Sequence, residues 1–462
     1  MADLRFTDRM SDSDALMWGI EKDPLLRSTI VAIAILDRAP DRARLTDRID
    51  RASRLIPRLR QRPVQPTLAV APPKWVVDPN FDLNYHLRFV NAPGDGTMRD
   101  LLDMAAPIGM QGFDRARPLW EFFVVEGLEG GRAAMIQKVH HAVTDGVGGV
   151  EIALSMLDLE REPTSDLGPM PDAPAAEHFS SVELISDGLA HEVRRQRGIA
   201  SRIAGEFVNA VRNPQATASL AGDVAASLVR VLAPAFEPLS PIMTGRSLSA
   251  RYDHIAVSLP DLKAAAKVAD CKLNDAFVGG VIGGLRSYHA RHGVEVNELR
   301  MAMPISIRDT STASAGGNHF VPTRFPVPMT ISDPAERMAA IRQLVVEQRA
   351  EPALAFTAPI AGILNRLPTR ITTQLFGGML KGVDFTTSNV PGAPMDVFMA
   401  GARVESQFPY GPLSGAAANI TLMSGPDEVF LGINTDPAAV PDPKVFVDCL
   451  HEGFDEILKL AR

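Results

Sequence analysis

Cysteine is nearly absent: the 462 residues include only Cys271 and Cys449, far apart and without metal-ligand spacing. They read as free thiols of a reducing cytoplasm, not as a disulfide framework or a zinc site. Positive charge is short as well. The formal net charge of -8 argues against general nucleic-acid binding, which needs a basic face. Long apolar runs are missing. The longest, STIVAIAIL (Ser28 to Leu36) and AFVGGVIGGL (Ala276 to Leu285), are too short to span a bilayer, so any membrane contact has to be peripheral. The opening MADLRFTDRM is polar and carries acids, unlike a signal peptide. No G-x-S-x-G occurs, so no serine nucleophile is indicated, and no short-period repeat suggests a solenoid.

What is present is ordinary for a globular enzyme: 46 % hydrophobic and 22 % charged residues, over a length that favours two domains. Ser28 to Leu36, Trp120 to Leu128, His254 to Leu259, Arg300 to Arg308, Ala418 to Met423 and Val429 to Thr435 read as strands, rich in branched and aromatic residues. Thr46 to Arg62 begins as a helix that Pro57 breaks. Leu262 to Ala269 and Asp275 to Tyr288 read as helices. Between the mixed stretches lies a Pro- and acid-rich linker from Glu162, followed by helical residues Val182 to Leu232. The expected division is an α/β domain over residues 1–161, a helical linker over 162–245 and a second α/β domain over 246–462.

One stretch stands out: VHHAVTDGVGG, residues 139–149. Ala133 to His141 reads as a strand, so His140 and His141 are expected to point to opposite faces and to serve different roles. Val150, Ala153, Leu154 and Leu157 recur at helical spacing, placing a helix start near Gly148. The histidines therefore precede a strand-to-helix turn, where Gly146 keeps the backbone small beside a ligand and Asp145 can cap or lock the turn.

HHAVTDG resembles the HHxxxDG motif of acyltransferases with a chloramphenicol-acetyltransferase-like fold, a pattern expected by chance in on the order of one chain in a thousand. FDRARPLWEF (Phe113 to Phe122), LNDAF (Leu273 to Phe277), TSNVPG (Thr387 to Gly392), MSDSDALMW (Met10 to Trp18) and MPISIR (Met303 to Arg308) are each similar to segments of the bacterial wax ester synthase/diacylglycerol acyltransferase family. The resemblance runs from about Met10 to Leu460. One departure is Ala393, which follows Pro391-Gly392 where the family usually has proline. The resemblance implies two chloramphenicol-acetyltransferase-like domains, each a mixed sheet flanked by helices, with the active site in a tunnel at their interface. It also implies acyl transfer from acyl-CoA to diacylglycerol or a fatty alcohol, with no resident cofactor and no metal.

Under that resemblance His141, the second histidine of the motif, is the general base, and His140 pins the strand. An alcohol is too weak an acid for an imidazole of pKa about 6.5 to deprotonate outright. The base must take the proton as the oxygen attacks the thioester, a role worth roughly 10² to 10⁴ in rate. Asn274 is expected to line the site, although helix N-cap is an equal physical reading. Asp275 and Asp145 are expected to be structural, with Arg308 a candidate partner for a buried carboxylate. Ser388 and Asn389 are expected to line the tunnel, and Trp120 to pack between elements. His86, His254 and His319 read as satisfied structural histidines. Arg58, Arg60 and Arg62 read as a solvated basic run or, less simply, as a contact for CoA phosphates.

Two other readings fit less well: an acyltransferase using a carrier-bound donor, with no carrier domain fused here, and a non-catalytic lipid-binding or droplet protein. Finally, HEVRRQRGIASRIAGEFVNAVR (His191 to Arg212) places Ile199, Ile203, Phe207 and Val211 on one helical stripe, with Arg194, Arg195, Arg197, Arg202 and Arg212 elsewhere. It reads either as a connector with its stripe packed on a domain and its arginines in solvent, or as a peripheral contact with the inner membrane or a lipid droplet.

Overall fold

A computed structural model describes residues 7–65, 71–143, 152, 155–163, 167–212, 237–306, 320–351, 361–362, 364–365 and 368–462, the side chains of 197–212, 305–306, 320–322 and 376 excepted. The N-terminal half supplies strands β1 (Thr29–Leu36), β2 (Gln61–Val64), β3 (Lys74–Val77), β4 (Leu87–Asn91), β5 (Trp120–Glu126) and β6 (Ala133–His140). The C-terminal half supplies β7 (Arg251–Ser258), β8 (Glu298–Ser306), β9 (Phe320–Pro328), β10 (Phe385–Val390), β11 (Phe398–Met399), β12 (Ala402–Tyr410), β13 (Ala418–Ser424) and β14 (Glu428–Thr435). They form two six-stranded sheets, ordered β11-β12-β1-β6-β5-β4 and β7-β14-β13-β10-β8-β9, with β2 and β3 as a separate pair. Both large sheets are mixed: β4 runs parallel to β5, and β10 parallel to β8 and β13, among otherwise antiparallel neighbours.

The sheets do not follow the sequence boundaries 1–161, 162–245 and 246–462. β11 and β12, from far inside the C-terminal stretch, complete the N-terminal sheet, with β12 paired to β1 from Val31↔Tyr410 to Leu36↔Val404. Nothing local marks this exchange, because a strand's pairing partner is a tertiary choice.

Alternation sorts the side chains between faces. On the N-terminal sheet, Ala133 and Met135 of β6 join Trp120, Phe122 and Val124 under the helix Arg42–Leu55, which buries Leu45, Ile49 and Ala52. That helix stops at Leu55, before Pro57, as the missing proline N–H requires. The alternate residues Ala134 and Ile136 face the helix Met98–Met110, whose Leu101, Leu102, Ala105 and Ala106 also meet Tyr252 of β7 and Phe430 of β14. The C-terminal sheet covers one face with the helices Leu259–Val268, Leu273–Arg291, Pro334–Arg349 and Pro443–Leu458. Its other face turns to β12 and carries polar groups. There Asn419 and Asn434 donate to the carbonyls of Pro412 and Gly411 (both 2.9 Å), fixing the return of β12 into β13.

Gly432 sits where β12 crosses this face. A Cβ there would run into the carbonyl group of Pro409, a backbone atom that cannot swing aside. Gly432→Ala is therefore expected to destabilise the protein by roughly 1–3 kcal/mol through overpacking. Urea unfolding measures this, and an unchanged midpoint would mean that the two strands are not in contact at this point.

Candidate active site

The strand that carries the motif ends one residue earlier than expected, at His140, and His141 begins the turn. Backbone bonds fix both positions: His140 N–H donates to Leu119 O (3.0 Å), His141 N–H to Ser28 O (2.9 Å), and Val143 N–H to His140 O (2.9 Å). The remainder of the motif, including Asp145 and Gly146, lies outside the described residues, as do Arg308, His319 and most of the helix expected after Gly148.

His140 is fully buried. Its Nδ1 accepts the Ala142 N–H at 2.9 Å, so the ring hydrogen sits on Nε2, which donates to Glu21 Oε1 at 2.8 Å. Trp18 and Phe113 meet the ring edge-on, with centroids 5.2 and 6.0 Å away. Glu21 caps the C-terminal end of the helix Asp12–Ile20, and the same Oε1 also accepts the Ser28 N–H at 2.6 Å. Burial alone would raise this carboxyl. The His140 ring, the Ser28 amide and Arg115 outweigh it and hold the group below the usual glutamate range. His141, by contrast, is half-buried. The two neighbours have different surroundings because His140 ends the strand and His141 starts the turn, not because they alternate along one strand.

Trp120 forms the floor of the neighbouring segment. It is fully buried, with its indole N–H donating to Leu59 O at 2.7 Å. His86 stacks on it at 4.5 Å, and His86 Nδ1 bonds Trp120 O at 2.6 Å. Burial pushes the His86 imidazole down to about 4.

The basic run is partly drawn into the fold. Arg58 is buried, donates to Thr7 O (2.9 Å) and lies 4.0 Å over Trp75, and burial pushes it down to about 9. Arg60 pairs with Asp50 at 2.6 Å and Arg62 approaches Asp78 at 4.0 Å. These acids are distant in sequence or unpatterned, so only the fold reveals them.

In the C-terminal half the helix Leu273–Arg291 takes Lys272, not Asn274, as its N-cap residue. Asp275 is buried and accepts the Lys272 N–H at 2.9 Å, the reach-back of a capping box. Asn274 lies over β8, its amide 3.9 Å from the Met303 sulfur. Ser388 and Asn389 follow on β10, where pairing places Ser388 beside Thr421 and Asn389 beside Leu422. Leu422 belongs to the helix-covered core, so Asn389 shares the helical face and Ser388 the face turned to β12. The contacts of His140 all come from the N-terminal half.

An open cleft lies between the halves. Arg27, Thr29, Gly109, Tyr252, Ser414 and Asn434 are among its lining residues. Thr29 is paired with His140 across β1 and β6, so the cleft abuts the histidine turn.

Residues 10–277 match the wax ester synthase/diacylglycerol acyltransferase catalytic domain, and residues 316–458 match the C-terminal domain of the same family. The chain belongs to the wax ester synthase/diacylglycerol acyltransferase family. It is an acyltransferase, acting on an acyl donor and an acceptor such as diacylglycerol. A putative diacyglycerol O-acyltransferase of Mycobacterium tuberculosis (strain H37Rv) is 40 % identical over 99 % of this chain and 93 % of its own. A probable diacyglycerol O-acyltransferase of the same strain is 27 % identical over 94 % of this chain and 92 % of its own. The wax ester synthase/diacylglycerol acyltransferase of Marinobacter aquaeolei VT8 shares the fold at 21 % identity and a TM-score of 0.63, covering 98 % of this chain and 99 % of that one. The first condensation domain of the calcium-dependent antibiotic synthetase shares it at 15 % identity and 0.62, covering 100 % and 97 %.

Within this acyltransferase, Glu21 is the residue that inspection of the motifs missed. A signal was available: an acid at a helix C-terminus opposes the helix dipole and needs another reason to be there.

His86 supplies a pH test. The unfolded chain takes up this proton near pH 6.5, while the folded chain resists it until about 4, so stability is lost as pH falls through that window. His86→Phe should remove that loss. Unfolding free energies of both proteins across the window check it, and a constant difference between them would show that His86 titrates normally.

Proposed function

We propose that the enzyme transfers a long-chain acyl group from acyl-CoA to the hydroxyl of diacylglycerol or a long-chain alcohol, in a ternary complex with His141 as general base. One observation carries the choice of histidine. Both ring nitrogens of His140 are consumed inside the fold, Nδ1 by Ala142 and Nε2 by Glu21, and the ring is fully buried. Such a ring has no lone pair to offer a substrate. The half-buried His141, on the adjoining turn, takes the alcohol proton as the C–O bond forms and passes it to the departing thiolate. Triacylglycerol or a wax ester and free CoA leave, and no resident cofactor is required. We assign Asn274 and Ser388 to the substrate path, and Asp145 and Gly146 to the turn that holds His141.

His141→Ala should lower kcat by roughly 10² to 10⁴ while acyl-CoA binding and thermal stability stay near wild type. Release of free thiol from acyl-CoA, with diacylglycerol or a fatty alcohol as acceptor, reads the rate. A loss smaller than about tenfold rejects the base. Wild-type binding without thiol release would favour a lipid-binding protein, and turnover only with a carrier-bound donor would favour the carrier-dependent reading.

We further propose a peripheral lipid contact along the helix Ser181–Arg212. No helix among the described residues is long and apolar enough to cross a membrane. The stripe Ile199, Ile203, Phe207 and Val211 lies outside the described side chains; over residues 181–196 the docked face is mixed and Arg194 is exposed. Leu184 is buried, Asp187 pairs with Arg9 and Lys74 (2.7 and 3.2 Å), and Arg195 pairs with Asp12 at 2.9 Å. Val182, Leu189 and Val193 are exposed at helical spacing on the opposite side. Leu189→Glu/Val193→Glu should abolish flotation with anionic vesicles and leave Tm unchanged. Equal flotation of both proteins, or of neither, removes this helix as the contact.

A further inference from the structure

We infer that Glu21 is a positioning residue for the acyl-transfer step: its carboxylate sets the tautomer of His140 and the place of the turn that presents His141. The inference rests on the reading of His141 as the base. Two donors, one backbone amide and one ring N–H, converge on one oxygen. Glu21 Oε1 accepts both the Ser28 N–H (2.6 Å) and the His140 Nε2–H (2.8 Å). The carbonyl of the same Ser28 accepts the His141 N–H at 2.9 Å. The peptide before β1 is thus gripped on its N–H side by Glu21 and on its C=O side by His141. A shift of the carboxylate moves the carbonyl that holds the base in place.

The second link runs through the ring. A neutral imidazole has one donor and one acceptor. With Glu21 taking the hydrogen on Nε2, Nδ1 is left bare to accept the Ala142 N–H at 2.9 Å, one residue beyond the base. Were the hydrogen on Nδ1 instead, it would face that amide and push the turn open. Glu21 therefore constrains His141 from both sides, through Ser28 before it in space and through Ala142 after it in sequence.

The environment suits a fixed carboxylate. Glu21 is mostly buried, its acid form is disfavoured by the His140 ring and the Ser28 amide, and Arg115 adds positive charge nearby. Arg115 itself stacks 4.1 Å over Trp18, which meets the edge of His140. Glu21 touches no reacting atom in this scheme. It acts through geometry, and misplacing a reacting group by about 1 Å can cost about 10²-fold in rate.

Two substitutions separate this role from bulk stability. Glu21→Gln keeps an oxygen that accepts both N–H groups; Glu21→Met keeps the length and accepts neither. Glu21→Met should lose about 10- to 100-fold in kcat with KM for acyl-CoA unchanged. Glu21→Gln should retain most of the wild-type kcat. Nitrogen-15 spectra of the imidazoles should show wild-type His140 with Nε2 protonated and Nδ1 bare, in Glu21→Gln as well. Should Glu21→Met not fold, those spectra and the Glu21→Gln rate decide. A His140 protonated on Nδ1, a Glu21→Gln variant as slow as one without an acceptor, or a folded Glu21→Met at wild-type kcat each overturns the inference. The His141→Ala rate tests the base separately, so failure of that reading is told apart from failure of this one.

Discussion

β11 and β12 are hydrogen-bonded into the N-terminal sheet while the strands before and after this pair, β10 and β13, belong to the C-terminal one. The chain therefore has to cross between halves twice, and neither sheet is complete without residues 398–424. This ties the relative placement of the halves to backbone hydrogen bonds, which are directional, and not only to side-chain packing, which tolerates sliding. A cleft whose lining comes from both sides keeps its shape only under such a constraint. The small contacts around it follow: Gly432 makes room for Pro409, and Asn419 and Asn434 satisfy the carbonyls of the return turn.

The inner face of the C-terminal sheet shows the cost of that arrangement. Polar residues there replace the apolar ones of the helix-covered face, since a crossing chain brings unpaired carbonyls that a purely apolar surface would strand. The same reasoning applies at the histidine turn. Glu21 and Ser28 lie seven positions apart, and both help to satisfy the polar groups where β1 begins and β6 ends.

Part of the candidate site was legible from local rules. Trp120 is packed as the apolar run around it suggests, and the helix at Asp275 carries its own cap, whereas His140 and His141 differ in burial because the strand ends between them. The basic run was not legible. Arg58 reads identically in solvent or under Trp75, and its apolar stem and cationic plane suit either setting. The helix Ser181–Arg212 was legible only in part for a related reason: periodicity reveals that a helix has two faces, and docking decides which one is covered.

By itself the sequence determined what short-range physics controls: most strands and helices, the break at Pro57 and the family to which those motifs belong. Tertiary structure alone decided the exchange of β12, the burial of Arg58 and the union of Glu21 with His140, which lie 119 residues apart. Hydrogen bonds and ion pairs between distant segments depend on which surfaces meet, and no local pattern encodes that. The acid that holds the motif is invisible until the chain returns past it.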